Sequence, residues 1–98
     1  MTTVEMMLQA MVSRAKGKSF SVYGTYQRQD DEHGCFEVEY NEVGINDDGE
    51  VIVYYDCVFT DHERHATYRE AENLYFDELP LEEQIDLYEI VMEKIEEL

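Results

Sequence analysis

At 98 residues the chain is the length of a single domain with one modest core, taken here as residues 1–98. Its 44% hydrophobic and 12% aromatic content excludes a disordered acidic tail. With 24 Asp and Glu against 7 Lys and Arg, the net charge of −17 excludes direct binding to nucleic acid or to an anionic membrane surface.

The charge is unevenly placed. Residues 1–28 hold Arg14, Lys16, Lys18 and Arg28 against Glu5 alone, a net +3, so residues 29–98 carry −20. Such a field favours cations and basic proteins. The stretch Met1–Ala15 carries Glu5 and has no basic leader, and no apolar run approaches the roughly 18 residues of a membrane span. Two distant cysteines do not make a disulfide framework. The expected location is the cytoplasm.

In chain order, Thr2 and Glu5 have capping-box spacing, and Val4, Met7, Leu8, Met11, Val12 and Ala15 fall on one helical stripe. Gly17 is a good left-handed stop, and Arg14, Lys16 and Lys18 suit a helix C-terminus. The pattern predicts a helix over 2–16. A strand follows over 18–28, with Phe20, Val22, Gly24 and Tyr26 in phase. A second is expected over about 35–43 with Phe36, Val38 and Tyr40 in phase, and a third over about 50–60 with Val51, Val53, Tyr55, Cys57 and Phe59. Between the last two, Asn46-Asp47-Asp48-Gly49 supplies a turn that tolerates positive φ. Over 61–79 the pattern is weak. Ala66, Ala71, Leu74 and Tyr75 favour a short helix over about 64–75, with an edge strand from His65 to Arg69 as the competing reading.

Pro80 suits the first residue of a final helix, with Glu82 and Glu83 in its first turn. Leu81, Ile85, Tyr88, Met92 and Ile95 form its expected core stripe. Leu87, Ile90, Val91 and Leu98 widen the apolar sector beyond what one sheet face needs, which makes Leu87, Val91 and Leu98 candidates for a homodimer contact. The fold expected is α+β and two-layered. A three-stranded antiparallel meander carries the N-terminal and C-terminal helices on one face, in the order α-β-β-β-(α)-α.

Chemistry-bearing residues are present without the spacing that chemistry needs. His33, Cys35, Cys57, His62 and His65 are zinc-ligand types, but there is no C-x-x-C, and His62-Glu63-Arg64-His65 is one residue short of H-E-x-x-H. Asn46–Glu50 lacks the alternating oxygens of a calcium loop. No nucleophile elbow or phosphate-cradling glycine loop occurs. No metal, no cofactor and no catalytic residue are expected, and the chain is read as a non-enzyme.

What remains is binding by charge. In the expected register Tyr23, Thr25, Glu37, Glu39, Asn41, Tyr54 and Asp56 share the sheet face opposite the core. Tyr23, Glu37, Glu39, Tyr54 and Asp56 are therefore the candidate contacts for a basic protein partner. Such a face would imitate the spaced negative charges of a nucleic-acid backbone. The chain is similar only in size, charge and element order to small acidic α+β inhibitors that work this way. The alternatives are an acidic structural homodimer and a small carboxylate-dependent enzyme.

Overall fold

The computed structural model describes residues 2–30, 34–61 and 63–98. They run α1 (Thr3–Ala15), β1 (Ser19–Asp30), β2 (Gly34–Ile45), β3 (Val51–Asp61), β4 (Ala66–Tyr75), a 3-10 turn (Phe76–Glu78) and α2 (Leu81–Glu96). The α+β class holds, with a four-stranded antiparallel sheet in the order β1-β2-β3-β4 in place of the three-stranded meander expected.

The added strand is the segment expected to be helical. It pairs with β3 without a register break, from Asp61 opposite Ala66 to Ile52 opposite Tyr75. A helical reading of Ala66, Ala71 and Leu74 overlooks that Tyr68 and Leu74 also share parity with Phe59 and Val53, their partners across the ladder. The β3–β4 turn is closed by His65 at φ 52, the left-handed region that polar residues tolerate better than β-branched ones.

Local chemistry sets the other boundaries. The Thr2 hydroxyl accepts the Glu5 N–H at 3.1 Å and starts α1. Gly17, at φ 81, ends the helical path, and its N–H donates to the Ile45 carbonyl at 2.7 Å while the Ile45 N–H donates to Lys18 at 2.8 Å. The end of α1 is thus stitched to the end of β2. The β2–β3 turn is built around Asn46, whose Oδ1 accepts the N–H groups of Asp48 (3.1 Å) and Glu50 (2.9 Å). That carbonyl oxygen is committed to the turn.

Both helices lie on one face of the sheet, and one core cluster joins them to it. From α1 come Met7, Met11 and Ala15, spaced four apart, flanked by the partly buried Val4, Leu8 and Val12. From the sheet come Phe20, Val22, Val38, Tyr40, Val43, Ile45, Val51, Val53 and Tyr55. Val43 and Ile45 break the even-numbered phase of Val38 and Tyr40. The register slips between Tyr40 and Glu42, so a bulge at Asn41 turns the odd residues inward.

The final helix is rotated from the expected stripe. Pro80 is its N-cap, and the buried line is Glu83, Gln84, Leu87, Val91 and Ile95, while Leu81 (53%) and Ile85 (39%) are exposed. Two polar residues belong to the buried line, each held by a hydrogen bond, although the Gln84 amide oxygen is buried without a partner among the described residues. The Gln84 amide donates to the Leu79 carbonyl at 2.7 Å, and Glu83 accepts the buried Tyr40 hydroxyl. Tyr26 repeats the arrangement one strand over, its hydroxyl 2.6 Å from Asp86. Tyr26, Tyr40 and Tyr55 stack edge to face across β1, β2 and β3, with ring centroids 5.6 and 5.8 Å apart. Burial first, then the Asp86 bond and its charge, push the Tyr26 phenol well above the ordinary tyrosine range.

Candidate functional site

With both helices on one side, no element among the described residues covers the other face of the sheet. Strand alternation puts Thr25 and Gln27 of β1, Glu37, Glu39 and Glu42 of β2, Tyr54, Asp56 and Val58 of β3, and Arg69 of β4 on it. Glu39 stands directly opposite Asp56, and Glu37 opposite Val58. Three of the expected contacts, Glu37, Glu39 and Asp56, are therefore brought together as a carboxylate patch spanning two neighbouring strands.

The tyrosines are placed less compactly. Tyr54 is opposite Glu42, and its ring edge lies against Gly44, where a Cβ in place of the glycine hydrogen would stand 3.6 Å from Cε2. Tyr23 is 80% exposed and sits in the slip of β1 between Ser21 and Gly24. With β2 lying between β1 and β3, the two strands are about 10 Å apart. They flank the patch and do not form a joint platform. Beside Tyr54 a shallow open depression of about 290 Å³ is lined by Lys18, Ser19, Glu42, Gly44 and Ile52 among others.

Arg69 was not among the expected site residues, because a helical reading of its segment gives it no place on the sheet. From β4 its guanidinium crosses β3 to Glu39 on β2, with Nη1 2.5 Å from Oε2 and Nη2 3.4 Å from Oε1, and Nη1 is also 3.9 Å from Asp56 Oδ2. On the other side of the patch the Gln27 amide donates to Glu37 at 3.1 Å. Val58, flanked in the register by Glu37 and Arg69, is 5% exposed although neither helix covers its face. The hydrogen bond from Arg69, reinforced by its charge and partly opposed by desolvation, holds the Glu39 carboxyl below the usual carboxylate range. A general acid needs the opposite shift.

The expected dimer residues separate. Leu87 and Val91 are fully buried in the core of one chain, whereas Leu98 is 70% exposed. Of the zinc-type residues, His33, His62 and the side chain of Cys35 lie outside the described residues. Cys57 is half-buried opposite Val38, and His65 is exposed in its turn. Among the described residues no three His, Cys, Asp or Glu side chains are grouped to hold a metal ion. No helix among them is long and apolar enough to cross a membrane. Compared with protein-family models, curated proteins and solved structures, the chain matches none.

Proposed function

We propose that this protein is a non-catalytic, cytoplasmic binding module that receives a basic protein partner on its helix-free sheet face. The observation that carries the reading is the juxtaposition of Glu37, Glu39 and Asp56 on the face that neither helix covers. The net charge of −17 steers a cationic partner toward the molecule, and short-range contacts then fix its register. Tyr23 and Tyr54, exposed at the margins, are the anchors. An arriving lysine or arginine competes with Arg69 for Glu39, so the patch is held in order before binding and released by a cation of the same kind. A partner that normally holds phosphate groups would meet carboxylates two residues apart on β2, roughly 6.7 Å by strand rise, and in this sense the face mimics nucleic acid.

A homodimer through α2 is the second reading. Its support is the exposed Leu81, Ile85 and Leu98, since Leu87 and Val91 are spent within the chain.

The test is affinity capture from native extract at about 0.1 M and about 0.5 M salt, which span weak and strong screening. The baits are the wild type and a Glu37→Gln, Glu39→Gln, Asp56→Asn variant. Each captured protein is then purified and its Kd measured against both. A basic protein bound at low salt by the wild type and lost by the variant supports the face. Equal affinity for both baits overturns it.

A further inference from the structure

The two edges of the sheet differ. At β1 the register slips between Ser21 and Gly24 and α2 packs alongside, two devices that blunt an edge. At β4 the ladder is unbroken over Ala66–Tyr75, the strand contains no proline, and every residue from Thr67 to Asn73 is exposed.

The direction of the free peptide groups follows from two hydrogen bonds. The Asn46 N–H donates to the Glu50 carbonyl at 3.0 Å, so alternation turns the peptide groups of Ile52 toward β2 and those of Val53 toward β4. Tyr75, opposite Ile52, must then point its N–H out of the sheet, and that N–H donates to the Glu78 carboxylate at 3.1 Å. By the same alternation, Thr67, Arg69, Ala71 and Asn73 present their N–H and C=O groups outward. Their side chains lie on the helix-free face, and those of Tyr68, Glu70, Glu72 and Leu74 lie on the helix-bearing face, the first three exposed and Leu74 half-buried against the rim of the core.

We propose that the β4 edge accepts an extended basic segment of another protein as a fifth strand, with apolar, basic, basic and apolar residues at alternating positions. Those positions would stand beside Tyr68, Glu70, Glu72 and Leu74, and the arrangement reads alike in either strand direction. Charge disfavours a second copy as the occupant in the three registers that pair the strand along most of its length. A two-fold edge pairing keeps parity, so centring it on Glu70 opposes Glu70 to itself. Centring it on Ala71 opposes Glu70 to Glu72 twice, and centring it on Arg69 opposes two guanidinium groups. This inference shares a basic partner with the reading above but uses a different surface.

The probe is the peptide acetyl-Val-Thr-Lys-Thr-Lys-Thr-Val-amide, alongside two versions N-methylated on one or the other alternating set of residues. Binding is followed by amide NMR. The unmodified peptide is expected to bind and to protect the Thr67, Arg69, Ala71 and Asn73 amides from exchange. One methylated version should lose at least about tenfold in affinity and the other should not, because just one set faces β4. Ala71→Pro, which removes an outward N–H and no bond to β3, should weaken binding by a similar factor. Glu70→Gln with Glu72→Gln should weaken it and flatten its salt dependence. The Glu37, Glu39, Asp56 triple variant should bind the peptide as the wild type does. Equal binding of both methylated versions overturns the proposal, as does no binding at about 1 mM. Loss of the peptide in the triple variant alone overturns it and leaves the sheet-face reading standing. A wild-type dimer that Ala71→Pro dissolves makes a second copy the occupant, and overturns it too.

Discussion

Arg69 of β4 spans the whole width of β3 to bond Glu39 of β2, the Nη1–Oε2 distance being 2.5 Å, on a diagonal beside Val58, which stands opposite both Arg69 and Glu37 and is buried. One side chain therefore ties three strands together on the face that neither helix covers. It also sets the ionisation of the carboxylate it meets.

Replacing Arg69 by Gln is expected to raise the Glu39 pKa toward the ordinary range, read by NMR titration of the side-chain carboxyl. The sign for stability follows. A depressed folded-state pKa contributes stability above the unfolded carboxylate range and loses it as pH falls through the folded value. The acid limb of the stability curve should therefore be shallower in Arg69→Gln. Because the pair is solvent-exposed, the urea midpoint at neutral pH should barely move.

Tyr26 predicts the opposite limb. Its pKa is raised by burial and by Asp86, so it contributes stability that is complete below about pH 10 and declines as pH rises from there toward the folded value. Tyr26→Phe should lower stability near pH 7 by about 1 kcal/mol through the lost hydrogen bond, and should flatten the alkaline decline. Urea unfolding at a series of pH values between 7 and about 11 reads both effects.

The rotation of α2 is tested by truncation. Leu87→Ala should cost about 2–5 kcal/mol, because Leu87 is fully buried in the core. Ile85→Ala and Leu98→Ala, on the exposed side, should each stay within about 1 kcal/mol of wild type. If the helix sat on its Leu81–Ile85–Tyr88 stripe instead, the order of Leu87 and Ile85 would reverse in the same denaturation experiment.

Two turn positions carry left-handed backbone and should respond oppositely. Gly49, at φ 82, would place a Cβ in ordinary contact with Val12 at 3.5 Å, so Gly49→Ala should cost about 1–2 kcal/mol from conformation alone. His65, at φ 52, already bears that strain, and His65→Gly should be neutral or stabilising by thermal unfolding.

The elements that were legible in the sequence were those with one strong local signal. Thr2, the Met7–Met11–Ala15 stripe and Gly17 mark α1, and Asn46–Gly49 marks the central hairpin. The carboxylate patch was legible because Glu37, Glu39 and Asp56 needed only strand parity and a hairpin to meet. Arg69 was not, since its place on the face depends on a strand whose Ala and Glu residues have no intrinsic preference for one. The turn of α2 was hidden for another reason. Hydrophobicity alone cannot foresee that Glu83 and Gln84 will be buried, because the partner of Glu83, Tyr40, is supplied by tertiary structure and that of Gln84, the Leu79 carbonyl, by the turn entering the helix. The inward turn of Val43 and Ile45 likewise required the bulge at Asn41, which has no local signature.

The strand order also dictates how the chain assembles. Every strand pairs with its neighbour in sequence, so the sheet can zip up through short hairpin closures. The distant links, Tyr26 with Asp86 and Tyr40 with Glu83, can form only once α2 arrives to roof the finished ribbon. A sheet formed ahead of α2 would leave part of this core and the tyrosine ladder open to water, the kind of partly made sheet that readily sticks to its own copies. A surplus of seventeen negative charges repels such copies from one another, so the acidity of the surface guards the chain against self-association while it folds.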